Sequence, residues 1–314
     1  MNSRWSDTDA EAYADDPLQL RAYSSRLLGQ DPDLVLHGGG NTSVKVKARN
    51  LFGDEEELLY VKGSGWDLSS IEAAGFAPVS LDVLRKMASF DQLSDADMVR
   101  MQRAAMIDPY APNPSVEAVL HAIIPFRYVD HTHADAVVTI TNTPGGEDKI
   151  KQIYGESLLL IPYVMPGFIL AKKVYQMTQD IDWSQYQGMV LNNHGVFTFD
   201  DDARRSYVKM IDIVTQAERY IDSRAVLEIK AEPAGELDLI KLARSRQQVA
   251  TARGSAVYAR VDTSAEASTF ASLETVDSIA CRGPLTPDHI IRTKQIPLII
   301  DDEADPDSNP VESY

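Results

Sequence analysis

Hydrophobic positions recur at two different spacings along the first 225 residues. Apolar side chains three or four residues apart predict helices after Pro17, over residues 80–107 and 168–178, and from about residue 203 to 221. Short apolar or alternating runs predict strands at residues 34–36, 44–47, 58–61, 128–140, 158–164 and 189–199. Helices and short strands therefore alternate, which predicts an α/β domain with an antiparallel or mixed sheet.

The segment from residue 113 to 140 predicts one helix followed by one strand. Asn113 suits a helix N-cap and Pro114 the first helical position, and the helix is expected to end near Pro125. Side chains alternate between the two faces of a strand, so His131 and His133 are expected to lie on the same face.

Composition divides the chain into four segments. Residues 1–16 are polar and acidic and are expected to form an irregular lead-in to a main domain at 17–225. Residues 226–300 are expected to form a C-terminal extension with a helix at 235–252. Residues 301–314 are acidic, contain two prolines and are predicted to be a disordered tail.

Charge and cysteine content limit the function classes. The 314 residues carry a net charge of −17, which argues against nucleic acid or an anionic membrane surface as a partner. The single cysteine, Cys281, excludes an internal disulfide framework and fits a reducing cytosol. No signal-peptide pattern and no membrane-length apolar run is found. We therefore expect a cytoplasmic protein that acts on a small molecule.

Three of the six histidines lie where metal ligands could converge. His131 and His133 share a predicted strand face, and His194 lies in the Asn-Asn-His-Gly turn at 192–195. Three protein ligands and one open position are typical of catalytic zinc. The alternative is that the pair arises by chance, since a lone histidine is more often a hydrogen-bonded polar residue.

Glu117 and two glycine-rich turns are further candidates. Glu117 could act as a general acid/base, or could compensate the helix dipole, which is worth about 0.3–1 kcal/mol. The turns at 38–43 and 62–65, together with Ser115, could bring backbone N–H groups to an anion, although hairpin turns explain them equally well. Neither turn matches a dinucleotide fingerprint or a P-loop, and a serine-hydrolase elbow is absent from the sequence.

Taken together, these motifs resemble the class II aldolase/adducin family. They are Gly-Gly-Gly-Asn-Thr-Ser at 38–43, Lys-Gly-Ser-Gly-Trp-Asp-Leu at 62–68, Pro-Ser-Val-Glu at 114–117, His-Thr-His at 131–133 and Asn-Asn-His-Gly-Val-Phe-Thr-Phe at 192–199. They follow the family's order within about residues 17–225. The resemblance implies a three-layer α/β/α domain with a central, largely antiparallel sheet, assembled as a homotetramer.

The resemblance also implies a role for each candidate residue. Zn²⁺, or another divalent metal, would be bound once per subunit by His131, His133 and His194, and Glu117 would be the catalytic carboxylate. The residues expected to contact a substrate phosphate are Asn41, Ser64, Gly65 and Ser115, with Gly40 and Thr42 shaping the first turn.

The reaction implied by the resemblance is reversible retro-aldol cleavage of a ketose 1-phosphate, of the rhamnulose or fuculose type, to dihydroxyacetone phosphate and an aldehyde. The extension, with Gly-Pro-Leu-Thr-Pro-Asp-His at 283–289, resembles that of the aldolase half of bifunctional rhamnulose-phosphate aldolase/dehydrogenase proteins. Two alternatives remain open: a metal-dependent dehydratase or decarboxylase on the same fold, and a non-enzymatic adducin-like scaffold.

Overall fold

Two compact units make up the chain. The computed structural model describes residues 1–224, 236–291, 293–300 and 310–312. The first unit contains Met1–Arg224 and, from much later in the chain, Leu285–Ile291. The second contains the described residues from 236 to 284 and after 292. The predicted acidic tail lies outside the described residues except for 310–312.

A seven-stranded sheet forms the centre of the first unit. Its strands are β1 Asn41–Arg49, β2 Glu55–Lys62, β3 Phe76–Ser80, β4 Tyr128–Thr132, β5 Leu158–Ile161, β6 Gly188–Leu191 and β7 Gly195–Asp200. The spatial order is β3-β2-β1-β4-β7-β6-β5. Only β5 and β6 pair in parallel, so the largely antiparallel sheet expected from the resemblance is confirmed.

Helices surround this sheet. In the first unit they are α1 Asp7–Glu11, α2 Pro17–Gly29, α3 Leu81–Ser89, α4 Asp95–Ala104, α5 Ala118–Ile123, α6 Asp135–Thr141, α7 Gly146–Tyr154, α8 Phe168–Thr178 and α9 Ala203–Asp222. Carboxylate caps begin two of them: Asp16 accepts from the first-turn amides of α2, and Asp202 accepts from Arg205 N in α9.

Two apolar clusters pack on opposite faces of the sheet. Met189 and Leu191 of β6 belong to one cluster and Val190, between them, to the other, as strand alternation requires. Helices α3, α5 and α8 contribute to the first cluster, and α2, α6 and α9 to the second. This arrangement is the expected three-layer α/β/α architecture.

Two local predictions around the histidine strand were wrong. The strand expected at 128–140 ends at Thr132, and α6 follows it, because the short, largely apolar stretch at 136–140 suits a buried helix as well as a strand. The helix expected from Pro114 begins only at Ala118. Residues 113–115 are extended instead, because their backbone pairs with the segment at 62–64.

Three further differences lie near the N-terminal half of the sheet. Residues 34–36, expected as a strand, are irregular: Leu34 ends a turn in which its N donates to Asp31 O, and residues 35 and 36 follow it without regular structure. The acidic lead-in at 1–16 contains the short helix α1. Strand β3, with Phe76 and Val79 fully or almost fully buried, was not expected, because Pro78 interrupts its pattern.

The described part of the second unit is helical. It contains α10 Leu239–Arg253, α11 Ala265–Ala271 and α12 Val276–Ala280. The first of these confirms the helix expected at 235–252. Among the described residues of the whole chain, no helix combines the length and apolar character needed to cross a membrane.

Candidate metal centre

Three histidines meet where β4 ends and β6 turns into β7. His131 is the fourth residue of β4, His133 follows the strand by one residue, and His194 lies in the β6–β7 turn. The centroids of their rings are 4.8, 5.1 and 5.2 Å apart. The structure thus brings together the three predicted metal ligands, although they come from two separate parts of the sequence.

A ring stack holds His131 in place, and hydrogen bonds fix the turn that carries His194. The ring of Phe197 stacks on that of His131, with 4.1 Å between centroids and 15° between planes. In the turn, Asn193 adopts a left-handed backbone with φ of 56°. Its side-chain amide donates to Thr141 O and to Asn142 Oδ1, at 3.2 and 2.7 Å. These bonds tie the turn that carries His194 to the end of α6.

Each of the three rings has a buried nitrogen without a hydrogen-bond partner among the described residues. These atoms are Nε2 of His131, Nε2 of His133 and Nδ1 of His194. One nitrogen from each ring lies within 4.8 Å of the other two. Since buried polar atoms are normally hydrogen-bonded, three converging rings that each leave a nitrogen without a partner fit a bound divalent metal.

The second nitrogen of two rings fixes the tautomer. Nδ1 of His131 lies 3.1 Å from Val196 O, and Nδ1 of His133 lies 2.6 Å from Asp288 Oδ1. Both partners are acceptors, so Nδ1 carries the proton in each ring. The lone pair is then on Nε2, the atom left without a partner, as metal binding requires.

Burial favours the uncharged form of two of the rings. Burial lowers the pKa of His131 well below its ordinary value, and the neighbouring imidazoles of His133 and His194 lower it further. The pKa of His194 is also lowered, mainly by burial, although the Glu117 carboxylate acts in the opposite direction. Neutral imidazoles are the form that binds a metal, so the site is prepared for one at neutral pH.

The Glu117 carboxylate lies against the histidine cluster. Its Oε1 is 3.4 Å from His194 Nε2, and its Oε2 is 3.4 Å from His131 Nε2. Glu117 is 7% exposed, so solvent does not screen it strongly. Its backbone immediately precedes α5, and its amide donates to Ser115 Oγ at 3.2 Å. The predicted acid/base is therefore at the predicted metal site.

A buried chain of hydrogen bonds orients this carboxylate. Asn41 Nδ2 donates to Glu117 Oε2 at 2.6 Å, and Asn41 Oδ1 accepts from His121 Nε2. His121 Nδ1 is 2.8 Å from Ser43 Oγ. Burial lowers the pKa of His121 well below its ordinary value, so the ring is neutral. With its proton on Nε2, His121 accepts from the Ser43 hydroxyl, and the amide of Asn41 can only donate to Glu117.

The second glycine-rich turn lies beside the segment that leads to Glu117. Ser64 N donates to Asn113 O at 2.8 Å, and Ser115 N donates to Lys62 O at 3.0 Å. Ser64 and Gly65 are exposed, and Gly65 has a φ of 86°. Three of the predicted phosphate contacts, at positions 64, 65 and 115, are thus placed on adjacent loops.

Gly40 and Thr42 lie in different surroundings. Gly40 has a φ of 56°, and a Cβ there would be 2.8 Å from His131 O, so glycine allows the close approach of this turn to β4. Thr42 is fully buried on the other face of β1, where its hydroxyl is 2.8 Å from Ser25 Oγ. The structure does not bring the Thr42 side chain to the cluster.

Three buried polar residues near the cluster are absent from the set predicted from sequence. They are His121, Asp288 and Lys62, whose Nζ donates to Gly38 O at 2.7 Å. Burial lowers the pKa of Lys62 to about 8, while Asp67, Asp288 and Glu117 act to raise it. The spacing of His121, four residues after Glu117, was an available signal; no local signal exists for Asp288.

The amino-acid sequence matches two family models. Residues 19–221 match the Class II Aldolase and Adducin N-terminal domain, and residues 237–313 match Aldolase class II, second domain. The chain belongs to the class II aldolase and adducin family. The first match covers the whole histidine cluster, and the second covers Asp288.

Individual relatives agree with this membership. The N-terminal class II aldolase domain of a conserved protein from Thermoplasma acidophilum is 40% identical, with a TM-score of 0.65, over 70% of this chain and 99% of that one. An uncharacterized oxidoreductase, YuxG from Bacillus subtilis (strain 168), is 31% identical over 310 residues. The match spans 94% of this chain but only 44% of YuxG.

A more distant likeness is to a sugar-phosphate aldolase from Thermotoga maritima, at 14% identity and a TM-score of 0.47, covering 66% of this chain and 94% of that one. Likeness at this level carries no information on substrate. Proteins of this family are typically metal-dependent and act on small molecules, and the three histidines here could bind a metal. The resemblance to bifunctional rhamnulose-phosphate proteins stays a prediction.

Proposed function

We propose that this protein is a zinc-dependent aldolase that cleaves a ketose 1-phosphate, of the rhamnulose or fuculose type, to dihydroxyacetone phosphate and an aldehyde. The observation that carries the proposal is the position of the Glu117 carboxylate, 3.4 Å from nitrogens of both His131 and His194. Such a cluster suits proton transfer at a carbon whose neighbouring oxygens bind the metal.

His131, His133 and His194 are the residues that would hold the metal. Bound there, zinc supplies Lewis-acid stabilisation of the negative charge that develops on the substrate oxygens as the carbon–carbon bond breaks. The protein's own contribution to this site is burial, which favours the neutral form of His131 and His194, and the hydrogen bonds that fix the tautomers of His131 and His133.

Glu117 is the proton carrier in this proposal. As the carbon–carbon bond breaks in the cleavage direction, a second base takes the proton of the hydroxyl that becomes the aldehyde, and Glu117 gives a proton to the carbon that becomes part of dihydroxyacetone phosphate. In the condensation direction Glu117 removes that proton. Asn41 donates a 2.6 Å hydrogen bond to Oε2 of the carboxylate. The hydrogen bond from His121 prevents the Asn41 side-chain amide from flipping by half a turn. Oε1 has no hydrogen-bond partner among the described residues, which leaves it available to the substrate.

The adjacent loops at 62–65 and 113–115 are the proposed phosphate site. They offer the hydroxyls of Ser64 and Ser115 beside the exposed Gly65. Lys62, at the base of the first loop, is 3% exposed and adds a positive charge to a chain whose net charge is −17. This local positive charge would favour a phosphorylated substrate despite the overall sign.

The homotetramer and the cytoplasmic location expected from the sequence belong to the same proposal. Light scattering of the purified protein in solution measures the assembly directly. A mass of one or two subunits would contradict the tetramer.

The decisive experiment measures exchange of solvent deuterium into dihydroxyacetone phosphate by the zinc-loaded protein, without any aldehyde. We expect stereospecific exchange at one carbon that disappears with chelator. Exchange should fall by about 10²–10⁴-fold in Glu117→Gln, which keeps the shape of the side chain but cannot take up the proton. Thr42→Val is the control for this variant, because Thr42 is also buried but its side chain lies on the face of β1 away from the cluster.

The outcome separates the proposed reaction from its alternatives. A zinc-loaded protein without exchange would contradict the aldolase and favour a dehydratase or decarboxylase, which would release water or carbon dioxide from its substrate. A protein that binds no metal at all would favour a non-enzymatic scaffold.

A further inference from the structure

Asp288 reaches the histidine cluster from 155 residues further along the chain than His133. Its Oδ1 accepts from His133 Nδ1 at 2.6 Å, and its Oδ2 accepts from Leu36 N at 2.9 Å. The residue is 1% exposed. It lies in Leu285–Ile291, which belongs to the same compact unit as the cluster.

We infer that Asp288 is a positioning residue for His133, so that the second-domain part of the sequence completes the metal site. The inference rests on the metal site of the proposed function. It goes beyond that function because neither the aldol chemistry nor the three-histidine set requires a carboxylate from this segment.

The hydrogen bond has a definite effect on the ring. A carboxylate oxygen can only accept, so the bond places the proton on Nδ1 and leaves the lone pair of His133 on Nε2, the unpartnered atom. It also fixes the rotation of the ring. Nδ1 of His131 is held by a backbone carbonyl instead, so of these two rings His133 is the one whose Nδ1 has a negatively charged partner. Such partners typically raise metal affinity by about 10–100-fold.

Other contacts hold Asp288 itself in place. Asn142 Nδ2 donates to Leu285 O at 3.3 Å, which anchors the start of the segment to the end of α6. Thr286 Oγ1 and His289 Nδ1 are 2.8 Å apart and close the turn around Asp288. The Asp288 carboxylate is therefore fixed in two ways: by its hydrogen bond from Leu36 N, and by the contacts that hold its own loop in place.

Gly39 provides an independent observation. A Cβ built at position 39 would lie 1.9 Å from Asp288 Oδ1 and 2.3 Å from Oδ2. The carboxylate thus occupies the space that any side chain at this position would need. At the neighbouring Gly38, a Cβ would meet only Trp66 O, at an ordinary 3.8 Å. Position 39 can therefore be used to displace Asp288 without substituting it.

The experiment titrates Zn²⁺ into the full-length metal-free protein against a chromophoric chelator and records the visible spectrum with Co²⁺. Asp288→Ala should bind Zn²⁺ about 10–100-fold more weakly and change the Co²⁺ spectrum, because His133 loses its partner. Asp288→Asn, whose amide oxygen still accepts but is uncharged, should fall between Asp288→Ala and the original protein. This graded rescue distinguishes positioning from a general loss of fold.

The glycine pair supplies the matched control. Gly39→Ala should weaken Zn²⁺ binding as Asp288→Ala does, and it should add nothing further in the Asp288→Ala background. Gly38→Ala should keep the original affinity. Circular dichroism of each metal-free variant checks that it folds.

Two results would overturn the inference. One is original Zn²⁺ affinity and an unchanged Co²⁺ spectrum in Asp288→Ala; if that variant does not fold, the same result in both Asp288→Asn and Gly39→Ala decides against it. The other is a full-length protein that binds neither metal, in which case the metal part of the proposed function fails first. The two failures are distinguishable because the unsubstituted protein is titrated alongside.

Discussion

The Asn41 amide donates a 2.6 Å hydrogen bond to the Glu117 carboxylate. The oxygen of the same amide accepts from His121, so the amide cannot flip by half a turn without losing both hydrogen bonds. This pair connects the first strand of the sheet to the loop before α5, and it presents Glu117 to the histidine cluster in one orientation.

Substitutions at positions 41 and 42 separate the two faces of β1. Asn41→Ala should lower kcat for deuterium exchange by about 10–100-fold with Zn²⁺ still bound, because Glu117 loses the group that orients it. Thr42→Val should instead lower the free energy of unfolding by about 1 kcal/mol, because the hydroxyl bonded to Ser25 is lost. Exchange kinetics and urea denaturation measure the two effects. A raised KM for the phosphate substrate in Thr42→Val would instead support the role expected from sequence, in which Thr42 shapes the first glycine-rich turn of the phosphate site.

Substitution of one ligand tests the metal set. His133→Ala should leave less than one Zn²⁺ per subunit after dialysis and abolish exchange, because a catalytic site rarely holds its metal with two protein ligands. His37→Asn is a suitable control, since His37 is exposed and has a φ of 51°, which asparagine tolerates. Elemental analysis of both variants gives the occupancy. Full occupancy in His133→Ala would show that the ligand set is wrong.

A buried ion pair behind the cluster should matter for stability. Arg21 Nη2 donates to Asp130 Oδ1 at 2.5 Å, and both side chains are fully buried. Arg21→Ala should lower the free energy of unfolding by about 3–5 kcal/mol, because it leaves the Asp130 charge buried without its cation and still bonded to the uncharged Ser206 hydroxyl. Arg85→Ala removes an exposed pair with Glu57 and should cost less than about 1 kcal/mol. Equal losses in urea denaturation would contradict this difference.

Acid should destabilise the metal-free protein. The pKa values of His121, His131 and His194 are lowered by burial, so below their ordinary value of 6.5 the unfolded chain binds protons that the folded chain does not. The free energy of unfolding should therefore fall as pH falls, by up to about 1.4 kcal/mol per pH unit for each histidine. Asp135 has the opposite sign, because burial raises its pKa to about 6.

The three histidines outnumber Asp135, so the net effect is a loss of stability. Urea denaturation of the metal-free protein at several values between pH 7 and pH 5 measures the slope. Stability that stays constant or increases as pH falls over this interval would show that the buried imidazoles take up protons in the folded state.

Short sequence motifs were sufficient to predict the residues at the centre of the site. The two-residue spacing of His131 and His133 fixes a common direction, and the structure confirms it even though the second lies just beyond the strand. Strand alternation also separates Thr42 from Asn41 and Ser43, so its different surroundings were readable from the same rule. The family resemblance assigns the whole motif at 38–43 to one turn and does not distinguish these two environments.

Other features depend on contacts that sequence does not encode locally. A short, largely apolar stretch such as residues 136–140 is compatible with a buried helix and with a buried strand, and only the neighbouring elements decide between them. The extended backbone at 113–115 depends on pairing with residues 62–64, about 50 positions earlier. Asp288 is the extreme case, since its partner lies 155 residues away and its own neighbours give no indication of metal chemistry.

The late position of Asp288 also orders events during synthesis on the ribosome. All three imidazoles and Glu117 emerge well before residue 288, so a nascent chain can fold the sheet and gather its ligands while His133 still lacks its carboxylate. Domains generally begin to fold from the N-terminal side during translation. Tight metal uptake would then be delayed until the segment at 285–291 has been made, which links the loading of the site to the completion of that part of the polypeptide.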